Sequence, residues 1–96
     1  MHILVTYDVN TTTPEGDRRL RRVARACTDF GQRVQKSVFE CVLTESQFES
    51  LRARLLEEID RVQDSLRIYR LPEPTATTRE IHGVFKDIDF TGPLVL

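Results

Sequence analysis

Ninety-six residues make one domain's worth of chain, 40% hydrophobic and 30% charged, with a net charge of -1. A domain this small buries roughly 60–70% of its unfolded surface and is only marginally stable alone. No apolar run approaches the ~20 residues that span a bilayer, and Met1-His2-Ile3-Leu4-Val5 lacks the pattern of a secretory leader, so no membrane segment is expected and a cytoplasmic location is.

His2 to Val9 reads as a strand, β-branched and aromatic, stopped by Asn10-Thr-Thr-Thr-Pro14. Alternation puts Ile3, Val5, Tyr7 and Val9 on one face, the natural floor for helices, and His2, Leu4, Thr6 and Asp8 on the other. A helix follows, with Thr13 as N-cap, Pro14 in the first helical position and Glu15 in the first turn. Leu20, Val23, Ala24 and Cys27 form its core stripe, Arg18, Arg22 and Arg25 a separate face, and Gly16 a local weakness of about 1 kcal/mol. Phe30-Gly31 closes the helix, with Gly31 able to take the left-handed cap position.

Gln32 to Leu43 holds two strands reversing near Gln35-Lys36-Ser37, with Phe39, Cys41 and Leu43 on one face and Val38, Glu40 and Val42 on the other. Thr44 and Gln47 form a capping box for a second helix, which buries Phe48, Leu51, Leu55 and Ile59 and ends between Asp60 and Gln63. Ser65 to Leu71 is the fourth strand. Two prolines break the chain after it, with a short fifth strand over Arg79–Phe85 and an apolar end at Pro93–Leu96. The result is an α+β two-layer plait, βαββαβ plus a short C-terminal strand, in a single domain over 1–96. The leftover strand and the bare sheet face predict a homodimer with stacked sheets, residues 72–96 pairing with the partner subunit.

The chemistry concentrates in a few places. Asp8 is a carboxylate on an otherwise apolar strand, suited to magnesium or manganese if two copies meet across a dimer axis; the other reading is a cap on the Asn10-Thr11 loop. From Asp17 to Lys36 seven basic residues face two acidic ones, a net +5; from Glu40 to Asp64 seven acidic residues face three basic ones, a net -4. That asymmetry points to one face for a polyanion, extended by Arg33 and Lys36, or to a merely solvated helix face. Phe39 is either core or a base-stacking platform. Cys27 and Cys41 read as buried small hydrophobes, since two cysteines with His2 and His82 match no zinc spacing. His82 is either a proton shuttle or incidental. Ser37 and Ser65 have no histidine at triad distance, and no glycine-rich phosphate loop exists.

Val5-Thr6-Tyr7-Asp8-Val9, the arginine-rich helix, Gly31-Gln32-Arg33-Val34-Gln35-Lys36-Ser37-Val38-Phe39-Glu40 and Ser65-Leu66-Arg67-Ile68-Tyr69 together resemble the small CRISPR-associated Cas2 family. The tail Ile88-Asp89-Phe90-Thr91-Gly92-Pro93-Leu94 is similar to the form found in subtype I-C loci. The resemblance implies a ferredoxin-like homodimer in which the two copies of Asp8 hold one Mg2+ or Mn2+ ion. It implies a metal-dependent endonuclease acting on single-stranded RNA or double-stranded DNA. It also implies a part in CRISPR adaptation, where the dimer bridges two dimers of the CRISPR integrase and holds prespacer DNA. Asp8 takes the metal role, with Tyr7, Arg22, Arg33, Ser37 and Phe39 in support. Two functions follow, a nuclease and a non-catalytic scaffold for DNA and integrase; one carboxylate per chain is thin equipment for the first. A small-molecule regulatory domain would need a ligand cleft that nothing in the sequence marks.

Overall fold

The protein is described by a computed structural model over residues 1–72 and 80–83. In chain order it contains β1 (His2–Asp8), α1 (Pro14–Phe30), β2 (Gln32–Gln35), β3 (Val38–Val42), α2 (Glu45–Glu58) and β4 (Ser65–Leu71). The strands form one antiparallel sheet of order β2-β3-β1-β4, so β1 is central and β4 is an edge. Both helices contribute to a single core with one face of the sheet, which is the expected α+β plait.

The core follows the alternation. Ile3, Val5, Tyr7 and Val9 of the first strand are buried beside Phe39, Cys41 and Leu43. Phe48, Leu51 and Leu55 of α2 close over them, with Ile59 partly buried at the margin. From α1 come Val23, Ala26 and Cys27, with Leu20 and Ala24 only partly buried, so the stripe is rotated slightly from its expected Ala24 position.

Both helices start as their caps dictate. Thr13 Oγ1 accepts the Gly16 N–H at 3.1 Å, and Thr44 and Gln47 exchange the two bonds of a capping box. The second helix stops at Glu58, earlier than expected. Asp60 accounts for this. Its side chain accepts the Val62 N–H and its carbonyl accepts the Asp64 N–H at 2.7 Å, a turn that competes with another round of helix.

The glycines depart from expectation. Gly31 is extended, at φ -157, and not in the left-handed region. It is needed because a Cβ there would overlap Cys41 Sγ and lie 2.6 Å from the Glu40 carbonyl oxygen. Gly16 is no weakness. It is buried where a Cβ would overlap the Asn10 carbonyl oxygen, a backbone atom that cannot swing aside. Helix propensity alone makes Gly16→Ala stabilising by about 1 kcal/mol. Overpacking costs about 1–3 kcal/mol and should win here. Thermal unfolding of Gly16→Ala is therefore expected to show a lower Tm; a higher one would mean that the Asn10 turn yields easily.

The fifth strand, the apolar end at Pro93–Leu96 and the pairing of 72–96 with a partner lie largely outside the described residues. The short described stretch Glu80–Gly83 carries no strand.

Candidate active site at the end of the first strand

Asp8 is exposed on the open sheet face, opposite the helices, as its parity on β1 requires. Its Cα partner across the edge strand is Ser65, and the next pair inward on that face is Thr6 with Arg67. On its other side, where β3 has ended, the Tyr7 N–H donates to the Ser37 carbonyl at 3.1 Å, so the Lys36-Ser37 turn abuts the strand end. Among the described residues the Asp8 carboxylate has no hydrogen-bond or ion-pair partner.

The loop after Asp8 is held by other residues. Asn10 Oδ1 accepts the Thr12 N–H at 2.9 Å and the Thr12 hydroxyl at 2.7 Å. Asp64 Oδ1 accepts the Asn10 N–H at 3.0 Å. The same carboxylate accepts Arg19 Nε at 2.9 Å, a guanidinium NH2 at 3.2 Å and the Asp60 N–H at 2.9 Å, with its side chain wholly inaccessible. Burial by itself would push the Asp64 carboxyl up. The Arg19 guanidinium and the two backbone N–H groups outweigh it and hold the carboxyl below its ordinary range. The sequence reading missed this clamp. The partners stand 45 residues apart, and nothing local marks either one.

Tyr7, Phe39 and Arg33 lie beneath Asp8, on the helix-packed side. Tyr7 and Phe39 stack with ring centroids 6.2 Å apart at 20°. Phe39 is fully buried, which makes it core; it supports its neighbours and offers no face for a base. Arg33 pairs with Phe39 across the β2–β3 hairpin and rides 5.0 Å above its ring. Arg33 Nε is buried without a hydrogen-bond partner, and the cation–π contact is a compensating interaction of the same guanidinium. The Tyr7 hydroxyl donates to the Lys36 carbonyl at 3.4 Å. Burial pushes the Tyr7 phenol up, Cys27 adds to the effect and Arg33 opposes it, so Tyr7 stays neutral at physiological pH. Cys27 and Cys41 are buried, and burial pushes each thiol up to about 12, which makes both inert as nucleophiles or ligands.

The helix arginines occupy a different surface. Arg18, Arg21, Arg22 and Arg25 line an open basin of about 350 Å³. Their i, i+3, i+4, i+7 spacing sets them on the side of α1 opposite its buried stripe, so a helix thickness of about 10 Å and the sheet separate them from Asp8. Arg21, not singled out from the sequence, belongs to the same row. Arg22 approaches Glu58 at 3.9 Å and Arg25 approaches Asp29 at 3.8 Å, long contacts of exposed side chains that are worth little. The charge asymmetry of the sequence is thus partly neutralised along the seam of the helices, where Arg54 also meets Asp29 at 2.9 Å.

Among the described residues there is no cluster of three or more metal-ligating side chains. One chain brings a single hard carboxylate, so a divalent ion fits only as a shared ligand of two chains. That suits magnesium, which is commonly held by one or two carboxylates with waters and phosphate oxygens completing its shell. No helix among the described residues is long and apolar enough to cross a membrane.

Comparison with known proteins identifies the family and the fold. A family model described as CRISPR associated protein Cas2 matches residues 1–79. The chain is 60% identical to CRISPR-associated endoribonuclease Cas2 1 of Moorella thermoacetica, covering all of both chains. It is 48% identical to CRISPR-associated endonuclease Cas2 of Halalkalibacterium halodurans over 99% of each. The crystal structure of Streptococcus pyogenes Cas2 superposes with a TM-score of 0.76 at 51% identity, covering 86% of this chain and 100% of that one. On these grounds the chain belongs to the CRISPR associated protein Cas2 family.

Proposed function

We propose that this protein is a homodimeric, metal-dependent endonuclease that hydrolyses phosphodiester bonds of single-stranded RNA or double-stranded DNA and serves CRISPR adaptation in the cytoplasm beside the CRISPR integrase. The observation that carries the catalytic half is Asp8: an exposed carboxylate at a strand end, without a partner among the described residues, while Asn10 and Asp64 do the loop-capping that would otherwise explain it. The names of the relatives, endoribonuclease and endonuclease, support the reaction class. The similarity of the tail Ile88–Leu94 supports the subtype I-C form.

A second copy is what the fold asks for. The open sheet face carries Tyr69 and Val42, 43% and 37% exposed, beside Leu4 and Leu71, and among the described residues the seven-residue strand β4 has no neighbour on its outer side. Stacking two such faces brings two Asp8 carboxylates toward the twofold axis, and residues 72–96 are proposed to pair with the partner's edge. The Asp8 pair would hold Mg2+ or Mn2+. When bound, such an ion supplies Lewis acidity and an acidified water. Each chain supplies one Asp8 carboxylate, Ser37 and the Lys36 turn at the strand end, and the Tyr7–Phe39–Arg33 stack beneath it. Crystals soaked in manganese should show one anomalous peak between paired Asp8 side chains. Two distant Asp8 residues without divalent density in every assembly would overturn the reading.

The basin on α1 favours a second function, that of a dimeric scaffold holding prespacer DNA and bridging integrase dimers. It lies on a different surface from Asp8, so duplex held there is not presented to the Asp8 carboxylate of the same chain. Each phosphate-neutralising cation removed should reduce the slope of log K against log salt by about 0.9 on duplex DNA. Arg18→Ala with Arg21→Ala is therefore expected to lower duplex affinity and, at two cations, to flatten that slope by about 2, read by fluorescence anisotropy across a salt series. An unchanged slope would mean that the basin is simply solvated.

A further inference from the structure

We propose that Arg67 is the phosphate-binding cation of the Asp8 centre. The inference rests on the nuclease reading above. Residues Ser65, Arg67 and Tyr69 of β4 share the open face, because Leu66 and Ile68 point into the core. The register pairs Ser65 with Asp8 and Arg67 with Thr6, so Arg67 stands diagonally across from Asp8 on the same face. Such diagonal positions are about 7–8 Å apart, within reach of a long side chain.

Arg67 and Asp8 nevertheless do not close an ion pair. The only polar contact of the Arg67 side chain among the described residues is to the Tyr69 hydroxyl at 3.5 Å, the outer limit of a hydrogen bond. In the single chain the guanidinium is exposed, always charged and without a carboxylate among the described residues, and in the proposed dimer it lies on the stacked face that also carries Asp8. A guanidinium on the same face as a carboxylate, diagonal to it in register and not neutralised by it, is placed to take a phosphate at the carboxylate's centre. A non-bridging phosphate oxygen would accept from the guanidinium fork, which offsets the charge that builds up on the phosphoryl group during hydrolysis, while the Asp8 carboxylates would hold the divalent ion. Arg33 does not fill this place, since it lies on the helix-packed side with its Nε buried. The α1 arginines do not either, because the helix layer and the sheet intervene.

The test compares wild type with Arg67→Ala, Arg67→Gln, Arg67→Lys and Asp8→Ala as purified homodimers. Each cleaves an end-labelled single-stranded RNA and a double-stranded DNA over a manganese titration. Removing one charged donor at such a centre lowers kcat by about 10²-fold. The expected result is that fall in Arg67→Ala and Arg67→Gln, partial recovery in Arg67→Lys, and an unchanged manganese midpoint, dimer mass and Tm in all three. Wild-type kcat in Arg67→Ala or Arg67→Gln, or a loss of activity that accompanies dissociation of the dimer, overturns the assignment. The outcome for the parent reading is separate. Cleavage by wild type that persists in Asp8→Ala removes the nuclease reading itself, whereas cleavage lost in Asp8→Ala and kept in Arg67→Ala removes only the role of Arg67.

Discussion

Asp8→Ala is expected to abolish divalent-dependent strand cleavage while leaving the fold as it is. The side chain is exposed and makes no hydrogen bond or ion pair among the described residues, so its removal should change stability by less than about 0.5 kcal/mol. Its loss to the proposed centre is doubled, because a twofold axis takes both carboxylates at once. Charge stabilisation by a bound divalent ion is worth several kcal/mol, and every 1.36 kcal/mol is tenfold in rate, so cleavage should fall by about 10³-fold or more. Asp8→Asn keeps the shape and loses the charge, and it should behave like Asp8→Ala. EDTA should stop the wild type to the same extent. Gel assays of labelled RNA and DNA give the rate, and titration calorimetry with manganese gives the binding. Full cleavage by the variant would assign the activity to something else, such as a contaminant. The same variant separates the two proposed functions in a cell: normal spacer acquisition with Asp8→Ala makes the nuclease dispensable for adaptation and leaves the scaffold as the role.

The largest effect on stability is expected at Asp64. Its inaccessible carboxylate gathers Arg19 from α1, the Asn10 N–H from the loop after β1 and the Asp60 N–H from the turn before β4. Asp64→Ala deprives three elements of their common acceptor and strands the Arg19 guanidinium, whose side chain is only 15% exposed. Removing one partner of such a pair costs about 3 kcal/mol, which is roughly 12–24 °C in Tm for a domain of this size. Because Asn10 stands two residues from Asp8, the strand end should also loosen, visible as faster amide exchange over Val9 and Asn10. The pH dependence has a definite sign. The Asp64 carboxyl is held low in the folded protein, so its contribution is complete above the unfolded value of about 3.9. It is lost as pH falls below that value and through the lower folded one. Asp60 acts in the same direction, held low first by the Val62 N–H and then by Gln63. Acid unfolding of wild type should therefore be steep below about pH 4, and that of Asp64→Ala shallower. An equal slope in both proteins would place the acid sensitivity elsewhere.

Much of this protein is legible in its sequence, because the signals act over a few residues. Thr13-Pro14 and Thr44-Gln47 cap their helices through atoms three positions away. The alternation of Ile3, Val5, Tyr7 and Val9 sets the buried face of β1 and sends Asp8 to the open one, since successive side chains on a strand must point to opposite sides. The spacing of Arg18, Arg22 and Arg25 is enough to put them on one face, with Arg21 between them. What the chain does not reveal along its length is where distant segments touch. Gly16 has the look of a defect until the Asn10 carbonyl is seen against it, and Gly31 that of a left-handed cap until Cys41 is. Arg19 resembles one more surface arginine, although Asp64 claims it across 45 residues. The separation of Arg33 from Asp8 depends on the register of the β2–β3 hairpin, which shifts between Arg33 and Gln35. Caps and periodicity are properties of neighbours in sequence, so the sequence determines them. Close approach, burial of charge and the face on which a hairpin residue lands are properties of neighbours in space, and only the packed tertiary structure decides them.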